Sequence, residues 1–534
     1  MNAHLPILPI VLPLLTGAAL VLVERRGIAL QRLVAGLGLA GLLGLSIALL
    51  ALADTGAITV YRIGNWPAHL GITLVVDRLA AWMVLTTSLL AAACLLHASA
   101  GWDRRAPHFH AFFQWLLMGL NGAFLTGDLF NLFVFFEVLL AASYGLLLSG
   151  GRGGRMRVGF HYVVFNIAAS TLFLIALGLL YGLVGVLNMA EVAARVGAAE
   201  PAERVLVQAV GGLLLVVFCA KGALLPLYLW LPSTYGGAQA SVAALFVVMT
   251  KVGLYAVLRV FTLVFGANLV LAGAAWNWLL PAGILTLLLA GLGTMAAVRL
   301  RVLAAYLVLV SAGTLFIAFA LARADSIGAG LYYLAHSVFV GAAMFLIAEA
   351  VRERRGTDRT NVVLPMLGRA VPGTLYLLAS IAAIGLPPLA GFIGKLGILQ
   401  SVPAERVGWV WGAVLASSFF VLVALTRSGS RLFWRLPPPD AAAPTTPPTQ
   451  LRARIGRRRE TLAIVLLLGY VVAMSVAAGP ILRYTMASGK QVLEPGEYIR
   501  ATRTPGTWRA AEQAPLYNGW VGHASASWRK GPAA

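Results

Sequence analysis

The chain has 534 residues and is 60% hydrophobic and 11% charged, with a formal net charge of +21. Its mean hydropathy of +0.87 excludes a soluble globular protein and predicts an all-α polytopic membrane protein. In a soluble protein this charge would suggest nucleic-acid binding. Here the arginines cluster in short loops between apolar segments, where they orient a membrane protein, so we expect no nucleic-acid partner.

Fourteen apolar segments are long enough to cross a bilayer as helices. They lie near residues 5–23, 29–53, 73–97, 109–126, 128–149, 159–186, 205–230, 240–265, 277–298, 302–322, 330–350, 371–400, 408–427 and 461–482. If the N-terminus lies outside, the loops on the cytoplasmic side hold twenty-three arginines and the opposite loops hold five. This bias predicts that both termini lie outside.

The segments divide the chain into six regions. These are 1–108 with spans one to three, 109–265 with spans four to eight, 277–430 with spans nine to thirteen, a basic Pro-rich cytoplasmic linker at 431–460, span fourteen at 461–488, and a polar C-terminal tail at 489–534. The Pro/Ala/Thr run at 437–448 predicts a flexible linker. We expect the tail to have loose structure and to lie on the membrane or on a partner.

Lysine is rare and unevenly placed in this sequence. Only five of the forty basic residues are lysines, and Lys221, Lys251 and Lys395 lie within apolar segments. An ammonium in hydrocarbon is costly and normally lines an interior or a water path. Arginine keeps its proton in proteins, whereas burial readily lowers the pKa of a lysine. We therefore predict that these three lysines are titratable amines inside the membrane.

Prolines interrupt two of the predicted spans. Pro226 follows Lys221 in span seven, and Pro387 and Pro388 precede Lys395 in span twelve. Proline removes an amide donor and breaks a helix, and broken helices line ion and proton paths in transporters. Because the two breaks lie five spans apart, spans four to eight and nine to thirteen are predicted to form two inverted five-helix repeats.

Two further polar residues lie deep in predicted spans. Glu137, among the phenylalanines of span five, would be neutral unless paired, and a lysine is its natural partner. A buried structural ion pair is the alternative. His336 in span eleven suits a proton relay, because small shifts move an imidazole across physiological pH. It could equally be a helix–helix contact.

Other charged residues near the ends of spans favour structural roles. We expect Asp77 to cap a helix and Asp128 to be an interfacial or capping residue. We expect Arg259 to reach the outer interface along its own stem, and Glu349 to form a solvated pair with Arg352. The sequence carries no nucleotide, haem, iron–sulfur or metal-binding pattern. We therefore expect no cofactor and no metal, and a transporter rather than an enzyme.

Four motifs, in this order along the chain, resemble the D subunit of the multisubunit Mrp-type monovalent cation/proton antiporter. They are GDLFNLFVFFE at 127–137, KGALLPLYLWLP at 221–232, TKVGLY at 250–255 and GLPPLAGFIGK at 385–395. That family shares a superfamily with the antiporter-like subunits of respiratory complex I and of membrane-bound hydrogenases. The resemblance implies fourteen helices, inverted repeats and broken helices seven and twelve.

The resemblance also implies roles for individual residues. Glu137 corresponds to the glutamate that pairs with Lys221, Lys251 to the central relay lysine and Lys395 to the terminal lysine. Many relatives have a further lysine near helix ten or eleven. In this chain that step would fall to His336 or to water.

The implied function is proton translocation in a Na⁺(K⁺)/H⁺ antiporter complex of the bacterial cytoplasmic membrane, with other membrane subunits as partners. A redox-driven pump subunit of complex I or hydrogenase type would use the same residues with another energy source. An assembly scaffold with a vestigial pathway is the third class.

Overall fold

The computed structural model describes residues 4–150, 153–198, 201–266, 269–366, 368–435 and 450–503. These ranges contain nineteen α-helices and one two-stranded hairpin. The first ten helices are α1 Leu8–Leu22, α2 Ile28–Asp54, α3 Arg78–Ala98, α4 Phe109–Leu125, α5 Leu129–Leu148, α6 Gly154–Val184, α7 Met189–Gly197, α8 Pro201–Lys221, α9 Trp230–Gly237 and α10 Ala240–Arg259. The remaining nine are α11 Leu269–Ala296, α12 Leu300–Ala320, α13 Ala324–Arg355, α14 Ala370–Ile384, α15 Ala390–Gln400, α16 Val407–Gly429, α17 Gln450–Val476, α18 Ala478–Leu493 and α19 Gly496–Arg503.

The chain is a multi-pass membrane protein built almost entirely from helices. Eleven helical segments in the described ranges are long and apolar enough to cross a membrane. Each of the fourteen predicted spans overlaps one or more helices, the seventh being divided into α8 and α9 and the twelfth into α14 and α15. The number of crossings and the inverted repeats stay predictions.

The helices α10 and α13 form the centre of the bundle. The apolar stretches of Ala240–Val264 and Ala324–Arg355 are 100% buried, whereas that of Ile28–Asp54 is only 28% buried. A helix buried on every side is surrounded by other helices and does not face lipid. Lys251 and His336 lie on these two central helices and are therefore far from the lipid-facing surface.

A close helix crossing brings α10 against the end of α8. A Cβ atom at Gly253 would overlap the backbone of Lys221 and Gly222, so glycine alone permits this approach. Lys251 precedes Gly253 by two residues on α10. The crossing therefore sets Lys251 beside the helix that ends in Lys221.

Both breaks leave backbone groups without helical partners, and neighbouring groups satisfy several of them. Between α8 and α9, the Leu225 amide donates to Thr286 Oγ1 on α11 at 3.0 Å. Between α14 and α15, the carbonyl of Ile384 at the end of α14 accepts a hydrogen bond from Lys395 Nζ at 2.8 Å. Interrupted helices persist at membrane depth when such partners are available.

The predicted start of span three at residue 73 is wrong. Residues Thr73–Val76 form strand β2, which pairs antiparallel with β1, Thr59–Arg62. Helix α3 then begins at Arg78, and Asp77 caps it by accepting a hydrogen bond from the Ala80 amide at 2.9 Å. A short apolar run does not distinguish a strand from a helix, which explains the error.

The predicted loose tail is wrong for residues 489–503. Helix α18 continues to Leu493, and α19 follows it. A Cβ atom at Gly489 would overlap the Ala324 carbonyl, so α18 packs directly on the first turn of α13. The end of the predicted 431–460 linker is also helical, because α17 begins at Gln450. The run at 437–448 and residues 504–534 lie outside the described residues.

Candidate functional site: buried lysines along the bundle

Lys221 ends α8 and points into the bundle, where only 6% of the residue is exposed. Its Nζ donates to Asn166 Oδ1 at 3.3 Å and to Ser170 Oγ at 3.1 Å. Asn166 and Ser170 lie four residues apart on α6, so one face of that helix presents both oxygens. The aromatic ring of Phe136 lies 6.0 Å from the same ammonium. Lys221 is thus held by neutral groups.

The predicted direct pairing of Glu137 with Lys221 is absent from this structure, because the described residues hold no ion pair between them. Glu137 Oε1 is buried and has no hydrogen-bond partner among the described residues. The carboxyl group is still close enough to act electrostatically on Lys221. The ring of Phe136, next to Glu137 on α5, faces the ammonium instead.

Lys251 is completely buried in the middle of α10. Its Nζ donates to Ser311 Oγ on α12 at 2.7 Å, and the Ser311 hydroxyl in turn donates to the Val308 carbonyl at 2.7 Å. Lys251 likewise forms no ion pair within the described part of the chain. Among the described residues, the Lys251 ammonium therefore has one hydrogen-bond partner, a serine hydroxyl.

His336 lies between Ser311, which accepts from Lys251, and the second helix break. Its Nε2 is 3.1 Å from the Ala382 carbonyl in the last turn of α14, and its buried Nδ1 has no partner among the described residues. A cavity of about 20 Å³ is lined by both Ser311 and His336. That is room for about one water molecule in the space that the two side chains line.

Lys395 lies on α15, just beyond the second break. Its Nζ donates to the Ile384 carbonyl at 2.8 Å and to Ser418 Oγ on α16 at 3.0 Å. Lys395 and His336 are close enough to interact electrostatically. The structure therefore places Lys251, His336 and Lys395 in one connected region, from α10 through the cavity to the second break.

The same arrangement surrounds all three lysines. Each ammonium donates to a serine hydroxyl on a neighbouring helix, Ser170, Ser311 or Ser418. A hydroxyl accepts from an ammonium and can also donate to a neutral amine, so it suits both protonation states. These serines were not predicted from the sequence, although the spacing of Asn166 and Ser170 in an apolar helix was a usable signal.

Arg259 does not reach the outer interface as predicted. It is 4% exposed and donates two hydrogen bonds to Asp77, at 2.6 and 2.8 Å, while its guanidinium lies 5.3 Å from the Tyr498 ring of α19. Asp128 caps α5 as expected, accepting from the Asn131 amide at 2.8 Å. These charges fix helix ends and do not join the lysines.

The predicted Glu349–Arg352 pair forms, but it is not fully solvated. The Arg352 side chain is 45% exposed and the Glu349 side chain only 9% exposed.

In the loop before α4, Asp103 binds Arg32 at 2.6 Å and His110 at 3.2 Å. Burial alone would raise the pKa of Asp103, but these hydrogen bonds lower it below its ordinary value. That cluster fastens the loop to α2 and α4.

Residues 126–421, which contain the whole row of buried lysines, match the family model described as NADH:quinone oxidoreductase/Mrp antiporter, TM. The chain belongs to this family. It is 39% identical to the D subunit of a probable K(+)/H(+) antiporter of Rhizobium meliloti, over 92% of this chain and 96% of that protein. Identity to the D subunit of the Na(+)/H(+) antiporter of Alkalihalophilus pseudofirmus is 35%, over 93% and 99% of the two chains.

Solved structures give the same result for this NADH:quinone oxidoreductase/Mrp antiporter family member. A chain of the Mrp complex from Dietzia sp. DQ12-45-1b matches with a TM-score of 0.84 and 25% identity, covering 94% of this chain and 99% of that one. A chain of respiratory complex I from Thermus thermophilus matches with a TM-score of 0.72 over 91% and 99%, and at 23% identity it shows the fold alone. The curated relatives named above are antiporter subunits and not enzymes.

Proposed function

We propose that this chain is the proton-translocating membrane subunit of a multisubunit antiporter that exchanges Na⁺ or K⁺ for H⁺. Glu137, Lys221, Lys251, His336 and Lys395 carry the proton, with water between them. The names of the relatives at 39% and 35% identity support the antiporter. The other membrane subunits of such a complex are its partners.

The observation that carries this proposal is the absence of a fixed counter-ion. A buried ammonium retained only for structure needs an opposite charge, because the desolvation penalty of an unpaired ion is several kcal/mol. Arg259 follows that rule with Asp77, whereas the three buried lysines contact neutral oxygens alone among the described residues. An amine in such surroundings can lose its proton without leaving a buried carboxylate unpaired.

Glu137 controls whether Lys221 keeps or releases its proton. Its carboxyl group influences Lys221 without bonding to it and has one oxygen free of partners in the described structure. When Glu137 approaches Lys221, the ammonium is stabilised; when it moves away, Lys221 releases its proton. Lys251, His336 and Lys395 then pass the proton on through water, the cavity beside Ser311 holding one of those molecules.

A redox-driven pump subunit is the other function with this fold. The complex I chain at 23% identity shares only the architecture, whereas the antiporter subunits are more similar in sequence along almost the whole chain. Cation/proton exchange is therefore the favoured function. Cysteine-rich peripheral subunits in the purified complex would instead favour the redox-driven pump.

We place the arginine-rich ends of the helices in the bacterial cytoplasm and both termini outside. The arginine bias across alternating loops supports this orientation.

The test of the function uses the assembled complex in vesicles. Lys221→Ala and Glu137→Ala each abolish cation-dependent dissipation of an imposed pH gradient while the complex still assembles. Lys490→Ala is the matched control, because Lys490 is exposed on α18 and has no hydrogen bond or ion pair with the relay residues in the described part of the chain. Wild-type exchange by an assembled Glu137→Ala complex would refute the role of Glu137. Wild-type exchange by an assembled Lys221→Ala complex would refute the proposed function.

A further inference from the structure

His336 is covered at the second helix break by the first turn of α15. A Cβ atom at Gly391 would lie 2.5 Å from His336 Nε2 and 2.6 Å from the Ala382 carbonyl oxygen. Non-bonded heavy atoms pack best at about 3.5–4.0 Å, so any larger residue at position 391 would displace the imidazole ring, the carbonyl group or both. Glycine is therefore required where α15 lies against the hydrogen bond between His336 and Ala382.

This hydrogen bond fixes the position of one ring proton. His336 Nε2 lies 3.1 Å from the Ala382 carbonyl, which also accepts from the Gly385 amide at 3.2 Å. A carbonyl oxygen accepts hydrogen bonds and has no proton to donate, so Nε2 carries the hydrogen. A neutral imidazole has one donor and one acceptor nitrogen. Nδ1 is therefore the acceptor, and it is buried without a hydrogen-bond partner among the described residues.

A helix cap explains only half of this arrangement. Helix α14 ends at Ile384, and the last carbonyl groups of a helix lack amide partners within that helix. The Nε2 hydrogen of His336 supplies one such partner, which is a structural role. A cap needs only this donor. It does not account for the basic lone pair on Nδ1, because a buried acceptor without a partner is destabilising.

The ring lies where the surroundings of two buried lysines meet. His336 and Ser311 line the same cavity of about 20 Å³, and the Ser311 hydroxyl accepts from Lys251 Nζ at 2.7 Å. Lys395 follows Gly391 by four residues, so it lies one turn further along the same face of α15. A displaced ring at this point would alter the step next to Lys251.

We propose that Gly391 is a positioning residue of the relay, which keeps the Nε2 hydrogen of His336 on the Ala382 carbonyl and leaves Nδ1 as the atom that takes and returns the proton. The inference rests on the proposed function and assigns the atoms of one of its steps. The Lys251 ammonium releases a proton through the Ser311 hydroxyl to water in the cavity, and that water gives a proton to Nδ1. Lys251 becomes a neutral amine and His336 an imidazolium, so charge is conserved.

The hydrogen bond to Ala382 also limits how His336 works. The carbonyl oxygen cannot take up the Nε2 proton, so a proton does not cross the ring from Nδ1 to Nε2 while this bond is kept. The imidazolium instead returns its proton from Nδ1 to water. His336 therefore holds a proton temporarily and does not conduct it across the ring.

The first test determines the tautomer of His336 in the assembled complex. Solid-state NMR of a complex with ¹⁵N-labelled histidine distinguishes a ring nitrogen that carries hydrogen from one that does not. The His336 signals are those that disappear in the His336→Gln complex. At alkaline pH, where an imidazole is neutral, we expect hydrogen on Nε2 and none on Nδ1. The opposite tautomer would overturn the proposal.

The second test measures cation-dependent proton exchange by Gly391→Ala complexes in vesicles. We expect a loss of about tenfold or more, because a positioned acid–base group contributes about 10²–10⁴-fold. Gly397→Ala is the matched control on the same pair of helices. A Cβ atom there would lie 3.0 Å from the Ala329 Cβ of α13 and would contact neither His336 nor a lysine. Equal losses in the two variants would show that only the packing of α15 on α13 matters, and would overturn the proposal.

The His336→Gln background separates positioning from packing. We expect Gly391→Ala to cause no further loss in a complex that already carries His336→Gln, because Gly391 acts through His336. A further loss of the same size would overturn the proposal. If Gly391→Ala does not assemble, the tautomer decides. If His336→Gln does not assemble, the comparison of Gly391→Ala with Gly397→Ala decides.

Lys221→Ala, measured in parallel, distinguishes failure of this inference from failure of the proposed function. Wild-type exchange by Lys221→Ala refutes the function. Loss of exchange in Lys221→Ala together with wild-type exchange by Gly391→Ala removes the role of Gly391 and leaves the antiporter function intact.

Discussion

Replacing Ser311 with alanine tests how the central lysine is held. The substitution removes the oxygen that accepts from Lys251 Nζ at 2.7 Å, in surroundings where Lys251 has no exposed surface. A hydrogen bond to a charged group contributes about 1.5–3 kcal/mol. At about 1.4 kcal/mol per factor of ten, the protonated form of Lys251 becomes roughly ten- to a hundredfold less favourable. The pH profile of exchange therefore moves about one to two units towards acid.

The assay is the initial rate of cation-dependent proton exchange by Ser311→Ala complexes in vesicles, measured over a pH series. Ser326→Ala is the matched control, because Ser326 is equally buried but donates to the Ala318 carbonyl and contacts no lysine in the described structure. The control should keep the wild-type profile. An unmoved profile for an assembled Ser311→Ala complex would refute the inference that this hydroxyl stabilises the Lys251 ammonium.

Two further predictions concern the buried Asp77–Arg259 pair and the orientation of the chain in the membrane. Asp77→Asn leaves Arg259 buried without its counter-ion and should destabilise the complex by about 3–5 kcal/mol. The measurement is a fall in melting temperature, and Asp54→Asn, at an exposed site, should cause no such fall. For orientation, a cysteine at Trp66, between the strands, should react with an impermeant maleimide from outside intact cells, and one at Thr357 only after permeabilisation. The reverse pattern would invert the topology.

The positions of the helices and of the buried lysines were predictable because they depend on local properties. An apolar run of bilayer length, a proline within it and a lysine among apolar residues are visible without any contact information. The breaks beside Lys221 and before Lys395 follow from Pro226, Pro387 and Pro388 in this way.

The partners of the lysines were not predictable, because they depend on which helix faces are adjacent. Ser311 also donates to the carbonyl three residues before it, as buried serines in helices commonly do. Its sequence context therefore does not distinguish a lysine partner from an ordinary serine. The burial of Arg259 was missed for the same reason, since Asp77 is 182 residues away in sequence.

The composition of the C-terminal segment did not predict its structure. Polar and basic residues favoured a loose tail, yet α18 packs on α13 and the Tyr498 ring of α19 lies beside Arg259. An amphipathic helix that covers one end of a bundle has the same overall polarity as a disordered tail. Only the spacing of its apolar residues distinguishes the two.

Lys221 works by losing its proton in the proposed relay, and Lys221→Arg tests this role most directly. Arginine keeps the positive charge but does not release its proton. We predict that an assembled Lys221→Arg complex exchanges no protons in vesicles, while Lys490→Arg exchanges at the wild-type rate. Normal exchange by Lys221→Arg would show that only the charge matters at this position and would contradict the proton relay.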